Sequence, residues 1–188
     1  MALDLSRRLD DLPTPTVRAV AWAAGGLFAG LGVPMQVWER RLRATGGPGI
    51  VGLQLARDPE QAAAVLAAWG PTGRQVARRQ TWVDFGYLKT YGYAGVCAAE
   101  LLRRRTSEGS GWDRTGRVVR WLPVVAATCD AVENVLLLRT LSLSAGAAPS
   151  RGRVRATRAA ATTKFALLGS TILWAAGAAV LGRRTGQP

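Results

Sequence analysis

The chain reads as an all-α polytopic membrane protein, a four-transmembrane-helix bundle, on three observations. Four apolar stretches reach spanning length, arginine collects beside their ends, and carboxyl side chains fall inside two of them. A hydrocarbon core of ~30 Å is crossed by about 20 helical residues. Residues 17–38, 82–102, 118–141 and 159–181 each meet that length, so the 188 residues are expected to form a single integral-membrane domain.

The first thirteen residues mix Leu, Asp and Arg and suit a short surface helix better than a secretory leader, which would want fewer acids and a cleavage site. Thr14-Pro15 predicts a helix start, with Thr as cap and Pro at the first helical position. The first span carries Gly26-x-x-x-Gly30, a pair that lets another helix approach closely, and Pro34, which should kink its far end. Gly46-Gly47-Pro48-Gly49 is a turn. A short amphipathic extramembrane helix is expected over 59–69: Asp58 caps it, Pro59 opens it, Gln61 completes a capping box and Gly70-Pro71 closes it. Its apolar Ala62, Val65, Leu66 and Trp69 share one face, which suits a helix lying in the interface or packed as a connector, or a lid over the site. The second span follows a cationic lead-in through Arg74, Arg78 and Arg79 and stops at Arg103-Arg104-Arg105. The 103–120 loop, with Gly109-Ser110-Gly111, predicts a flexible turn. Between the third and fourth spans, Arg151-Gly152-Arg153-Val154-Arg155 suits an anchor for the last span, which carries Gly169, Ser170 and Gly177 for close packing. Lys and Arg divide almost evenly between the two sides, which sets no orientation.

Within the third span stands Cys129-Asp130-Ala131-Val132-Glu133-Asn134. Spacings of three and four residues put Asp130, Glu133, Asn134 and Leu137 on one helical face. That face cannot look at lipid, because a carboxylate at mid-bilayer costs several kcal/mol unless it turns inward, finds a partner or takes a proton. In the second span Asp84, Tyr87, Leu88 and Tyr91 share a face, with Lys89 lying off it. Counting ~1.5 Å per residue from the shared interface brings Lys89 level with Glu133 and Asp84 level with Arg139. Lys89–Glu133 and Asp84–Arg139 are therefore the expected structural pairs, and Lys164 of the fourth span belongs to the same half. Asp130, Glu133 and Asp84 are the candidate catalytic residues. Asn134, Tyr87, Tyr91, Trp82, Phe85 and Trp121 are the candidate substrate-binding residues, the aromatic ones as π faces.

Composition removes several chemistries. The absence of histidine excludes the usual neutral-pH base, the Ser-His and Cys-His dyads and most zinc sites. Cys97 and Cys129 lack Cys-x-x-Cys spacing and suit small buried hydrophobes. The net charge of +13 is placed as headgroup anchors, with no nucleic-acid reading motif beside it. No cofactor and no metal are expected. The expected partners are membrane lipid and a hydrophobic, isoprenoid-like small molecule, with a homo-oligomer left open and the plasma membrane as the location.

Leu53-Gln54-Leu55-Ala56, Asp58-Pro59-Glu60, Trp69-Gly70, Trp82-x-Asp84-Phe85 and then Asp130-x-x-Glu133-Asn134-x-Leu136-Leu137 come in an order that resembles a widespread group of small bacterial four-helix membrane proteins. The likeness covers about residues 50–140. In size, span count and intramembrane acids the chain also looks like the small bacterial integral-membrane terpene cyclases. That second resemblance implies proton-initiated cyclisation, in which an acid, here Asp130, is aimed at an alkene beside an aromatic pocket that stabilises cations. The alternatives from other classes are a proton- or ion-coupled carrier or channel using the same acids, which predicts a polar path to both faces, and a non-enzymatic scaffold, which predicts paired acids and no cavity.

Overall fold

A computed structural model describes residues 8–144 and 146–181, all helical or loop, with no strand among them. Residues 8–11 are helical, and six further helices follow in order among the described residues: α1 (Thr14–Arg43), α2 (Ile50–Gln54), α3 (Pro59–Arg103), α4 (Gly111–Val119), α5 (Leu122–Leu141) and α6 (Arg151–Leu181). Among the described residues, three helical stretches are long and apolar enough to cross a membrane, namely Thr14–Arg43, Gly111–Leu141 and Arg151–Val180. This is the make-up of a membrane protein. The outward faces agree with it: on α1, Trp22, Leu27 and Val33 are exposed, and on α6, Ile172 and Leu173.

α1 runs unbroken through Pro34. Its start differs from the expected cap, because Pro13 occupies the cap position and Thr14 is already helical. The Thr14 hydroxyl instead accepts a hydrogen bond from Arg104 at 3.0 Å. A side chain added at Gly25, Gly26 or Gly30 would meet no neighbour, so the glycine pair brings no helix close within this chain. α3 begins as its capping residues predict, with Gln61 N–H donating to Asp58 Oδ1 at 2.7 Å and Arg57 N–H to Gln61 Oε1 at 2.8 Å. Gly70, at φ 60° and ψ −170°, breaks it into arms 59–69 and 71–103; the positive φ suits glycine, and Pro71 restarts the helix.

The expected flexible 103–120 loop is instead ordered around α4, whose amide at Asp113 donates to the Ser110 hydroxyl at 3.1 Å. A Ser-x-x-Asp start is a capping-box relative, and the apolar run resumes only after the turn at Arg120-Trp121. α4 locks onto α6 by reciprocal indole-on-glycine contacts. Trp174 sits against Gly116, Trp112 against Gly177, and Trp174 Nε1–H donates to Thr115 Oγ1 at 3.0 Å. α6 also begins earlier than the predicted fourth span, at Arg151, with Ser150 Oγ accepting from the Arg153 amide at 3.3 Å.

Packing is organised on α3, which touches α1, α5, α6 and α4, while α5 also packs along α6. α1 and α6 make almost no contact with each other. Two apolar plugs close the ends of the bundle. At one end Leu42, Leu53, Leu66, Trp69, Leu137 and Val154 pack together, and at the other Ala99, Trp174 and Ala178 meet Leu102, Trp112 and Val119. The arm 59–69 belongs to the first plug, its Trp69 Nε1–H donating to Pro48 O at 2.7 Å. It is a packed connector rather than a lid.

Behind the second plug lies a second polar knot that the sequence reading passed over. Glu100 is fully buried and bonds Arg103, Arg104 and Arg120, while Asp10 reaches Arg120 at 2.6 Å and Arg103 at 2.8 Å. Arg103 also holds Asp113 of α4 at 2.7 Å. The arginines read as a stop for the apolar run thus tie the N-terminal segment, α3 and α4 together; their spacing of three and four from Glu100 was the available signal.

Candidate functional site

Asp84, Asp130 and Glu133 all turn into the bundle and are 9%, 3% and 0% exposed. Asp130 uses both oxygens: Lys164 Nζ–H donates to Oδ1 at 2.7 Å and Tyr91 O–H to Oδ2 at 2.8 Å. Lys164 also lies 2.9 Å from Glu133 Oε2. The angle of that ion pair falls short of a directed hydrogen bond, and neither Glu133 oxygen has a donor among the described residues. Asn134 Nδ2–H donates to Asp84 Oδ2 at 2.7 Å. Three carboxyls therefore surround one ammonium, two of them ion-paired to it, with Asp84 held by an amide alone.

The expected pairs are not the ones formed. Glu133 pairs with Lys164 of α6, and Lys89 points outward from α3, about 100° round the helix from Leu88 on the buried face. Arg139 is likewise exposed on the far side of α5, and Asp84 is taken by Asn134. Equal depth permits a pair only when both side chains face the same seam. Here the seam between α5 and α6 supplies the cation, as the packing of those helices dictates.

The cluster opens into a cavity of about 450 Å³. Asp84, Asp130, Asn134, Tyr91 and Lys164 form its polar wall; Phe28 and Met35 of α1 face Phe165, Leu168 and Ile172 of α6 across it. Glu133 stands behind this wall and does not line the space. Phe28 stacks on Tyr87 at 4.7 Å between ring centres, and Tyr87 meets Tyr91 edge-on at 6.1 Å, so three rings form a ladder beside the acids. Because α1 and α6 barely touch, the cavity has a side mouth between them, rimmed by Phe28, Phe165 and Ile172, which are 38%, 43% and 68% exposed.

Trp82, Phe85 and Trp121 lie outside this cavity. Trp82 is 60% exposed and packs on Phe85 at 5.7 Å, on the flank of α3 turned away from Asp84. Trp121 lies in the turn before α5, under the Arg120 guanidinium at 5.7 Å. Phe28, Phe165 and the buried amides of Gln54 and Gln80 are among the lining residues that the sequence did not single out. Their spacing alone resembles that of any buried or lipid-facing residue.

No protein-family model matches this chain, and no curated protein and no solved structure is similar enough to match it.

Proposed function

We propose that this protein is a membrane-bound enzyme acting on a hydrophobic, isoprenoid-type substrate, and that a carboxylic acid of the buried cluster starts a cyclisation by protonating an alkene. The reading is that of a plasma-membrane protein with four crossings, by α1, the arm 71–103 of α3, α5 and α6. The arm 59–69 is then the short helix at one interface. In this reading the arm 71–103 turns Asp84 inward and carries its arginines and Glu100 towards its ends, while the outward Lys89 extends its long side chain towards the interface. The likeness to small bacterial membrane terpene cyclases enters on the same footing.

The observation that carries the proposal is an acid cluster exposed to an apolar, aromatic-lined cavity whose mouth opens sideways between α1 and α6. A hydrophobic molecule would enter such a mouth from the bilayer. The volume of about 450 Å³ falls within the ~300–1,000 Å³ of small-molecule sites. The acids, Tyr91, Asn134 and Lys164 share one wall and the amides of Gln54 and Gln80 one end, while the far end at Gly95 and Pro123 is apolar, which suits a substrate site better than an ion conduit.

The paired geometry moves the role of acid from Asp130 to Asp84. Both Asp130 oxygens are engaged and an ammonium neutralises it. Three carboxyls on one ammonium leave excess negative charge in a hydrocarbon surround, and holding a proton relieves that cost. Among the described residues Asp84 forms no ion pair, and it lines the cavity with only Oδ2 engaged, so in this mechanism it is the carboxyl that carries the proton. In the reaction its O–H proton passes to one alkene carbon and a C–H bond forms. The cation left on the neighbouring carbon is attacked by a second alkene of the same molecule. Loss of a proton from the cyclised cation back to a cluster carboxylate gives an isomer of unchanged mass. The Phe28–Tyr87–Tyr91 ladder offers π faces to the cation, each worth about 0.5–2 kcal/mol.

The test is incubation of membranes carrying each variant with prenylated aromatic or cyclodipeptide compounds, followed by a search for cyclised products of the same mass. Asp84→Asn is expected to keep the fold and abolish turnover, while Tyr91→Phe keeps the ring and reduces turnover less. An Asp84→Asn protein that cyclises as well as wild type refutes the mechanism. Proton flux in liposomes that vanishes in the same variant, without any product, assigns the cluster to a carrier.

A further inference from the structure

The cavity is elongated along the helices. On α3 its wall runs from Gln80 through Asp84, Tyr87 and Tyr91 to Gly95, fifteen residues and therefore ~22 Å at ~1.5 Å per residue. On α5 it runs from Pro123 to Leu137, ~21 Å by the same rise.

The two ends of this slot differ in chemistry. The end at Gly95 and Pro123 is apolar, while the other carries the amides of Gln54 and Gln80, 7% and 4% exposed. Among the described residues Gln80 Oε1, which is buried, has no hydrogen-bond partner. Whichever way the amide is turned, a buried polar atom without a partner costs about 1–3 kcal/mol, which a ligand group placed there would recover. The Thr81 hydroxyl beside it is already committed to Ala77 O at 2.8 Å. No arginine lines the slot among the described residues, and its one ammonium, Lys164, stands between Asp130 and Glu133. A phosphate or diphosphate head would therefore be buried with no free cation to meet it.

We propose that the slot takes an elongated lipid with a neutral head that both donates and accepts hydrogen bonds, an alcohol or amide, seated at Gln54 and Gln80 with its chain lying past Asp84 towards Gly95. This rests on the reading of the cavity as a substrate site and adds the substrate's shape and head chemistry. The head at Gln80 sets the register. Asp84 lies about one helical turn along the slot and Tyr91 about three, so the acids face the interior of the chain and not its polar end.

The experiment is equilibrium binding of tritiated farnesol to the full-length protein in lipid nanodiscs, corrected for partition into empty discs, with unlabelled farnesol, the alkane farnesane and farnesyl diphosphate as competitors. Farnesol is expected to compete about tenfold better than farnesane, one hydrogen bond's worth, with the diphosphate weaker still. Gln80→Leu, which removes the unpartnered amide, is expected to raise the melting temperature of the free protein and bring farnesol down to the level of farnesane. Gln54→Leu provides the same comparison should Gln80→Leu not fold. Farnesane or the diphosphate competing as well as farnesol overturns the proposal, as does a preference for the alcohol that survives in the folded variants. Product formation in the same samples separates the two readings. Selective binding without turnover removes the cyclase and leaves the slot as assigned; turnover without selectivity for the alcohol does the reverse.

Discussion

Lys164 decides the electrostatics of the interior, because it is the cation that Asp130 and Glu133 share. Lys164→Met leaves two buried carboxyls without their partner and is expected to cost about 3–5 kcal/mol, whereas adding Asp130→Asn and Glu133→Leu recovers much of it. Chemical unfolding in detergent reads both, and equal losses in the single and triple variants would contradict the shared-cation arrangement. The inward acid face of α5 was legible in the Asp130-x-x-Glu133-Asn134 spacing, as was the α3 face of Asp84, Tyr87 and Tyr91, since helical periodicity and the cost of charge in lipid settle both. The partner was not legible. Depth along the membrane normal brought Lys89 and Lys164 into the same half, and only the lateral order of helices, which sequence leaves open, chooses between them. The aromatics divided by the same rule: Tyr87 and Tyr91 lie on the acid face and line the cavity, whereas Trp82 and Phe85 lie off it.

At the scale of elements, punctuation residues were the readable part. Asp58 with Pro59, and Gly70 with Pro71, mark the start and the break of α3. Apolar runs were less exact guides, since α6 extends eight residues beyond the predicted span into arginine-rich sequence, and α5 begins only after a turn. α4 was hidden because a nine-residue helix rich in Gly and Arg reads as a loop until Ser110 and Asp113 are taken together as a cap. The latch that holds the N-terminal segment yields a pH prediction. The hydrogen bond from Arg120 holds the Asp10 carboxyl below its ordinary value of 3.8. A carboxyl lowered in the fold adds stability that is present above that value and lost as pH falls below it. Wild type is therefore expected to melt above Asp10→Asn at neutral pH, with the gap closing as pH drops through about 3.8 and below. The effect is modest because the Asp10 side chain is 40% exposed. A gap that is absent at neutral pH, or unchanged at pH ~3, would contradict the latch.

On the scale of the whole molecule, two apolar plugs hold the ends of a helical bundle, and between them the packing leaves a slot that reaches an acid cluster from the side. A membrane protein with inward-facing acids was readable from hydropathy and charge. The slot was not, because it arises where α1 and α6 fail to meet, a consequence of both leaning on α3. The account depends on a cluster that holds a proton at Asp84 before any substrate arrives. Infrared spectroscopy of the protein in lipid nanodiscs at neutral pH tests this without a substrate, through the carbonyl stretch of a protonated carboxylic acid. The account predicts such a band in wild type, its loss in Asp84→Asn, and its persistence in Asp58→Asn, whose carboxyl caps α3 away from the cavity. A spectrum without the band, or a band that Asp84→Asn leaves unchanged, would contradict it.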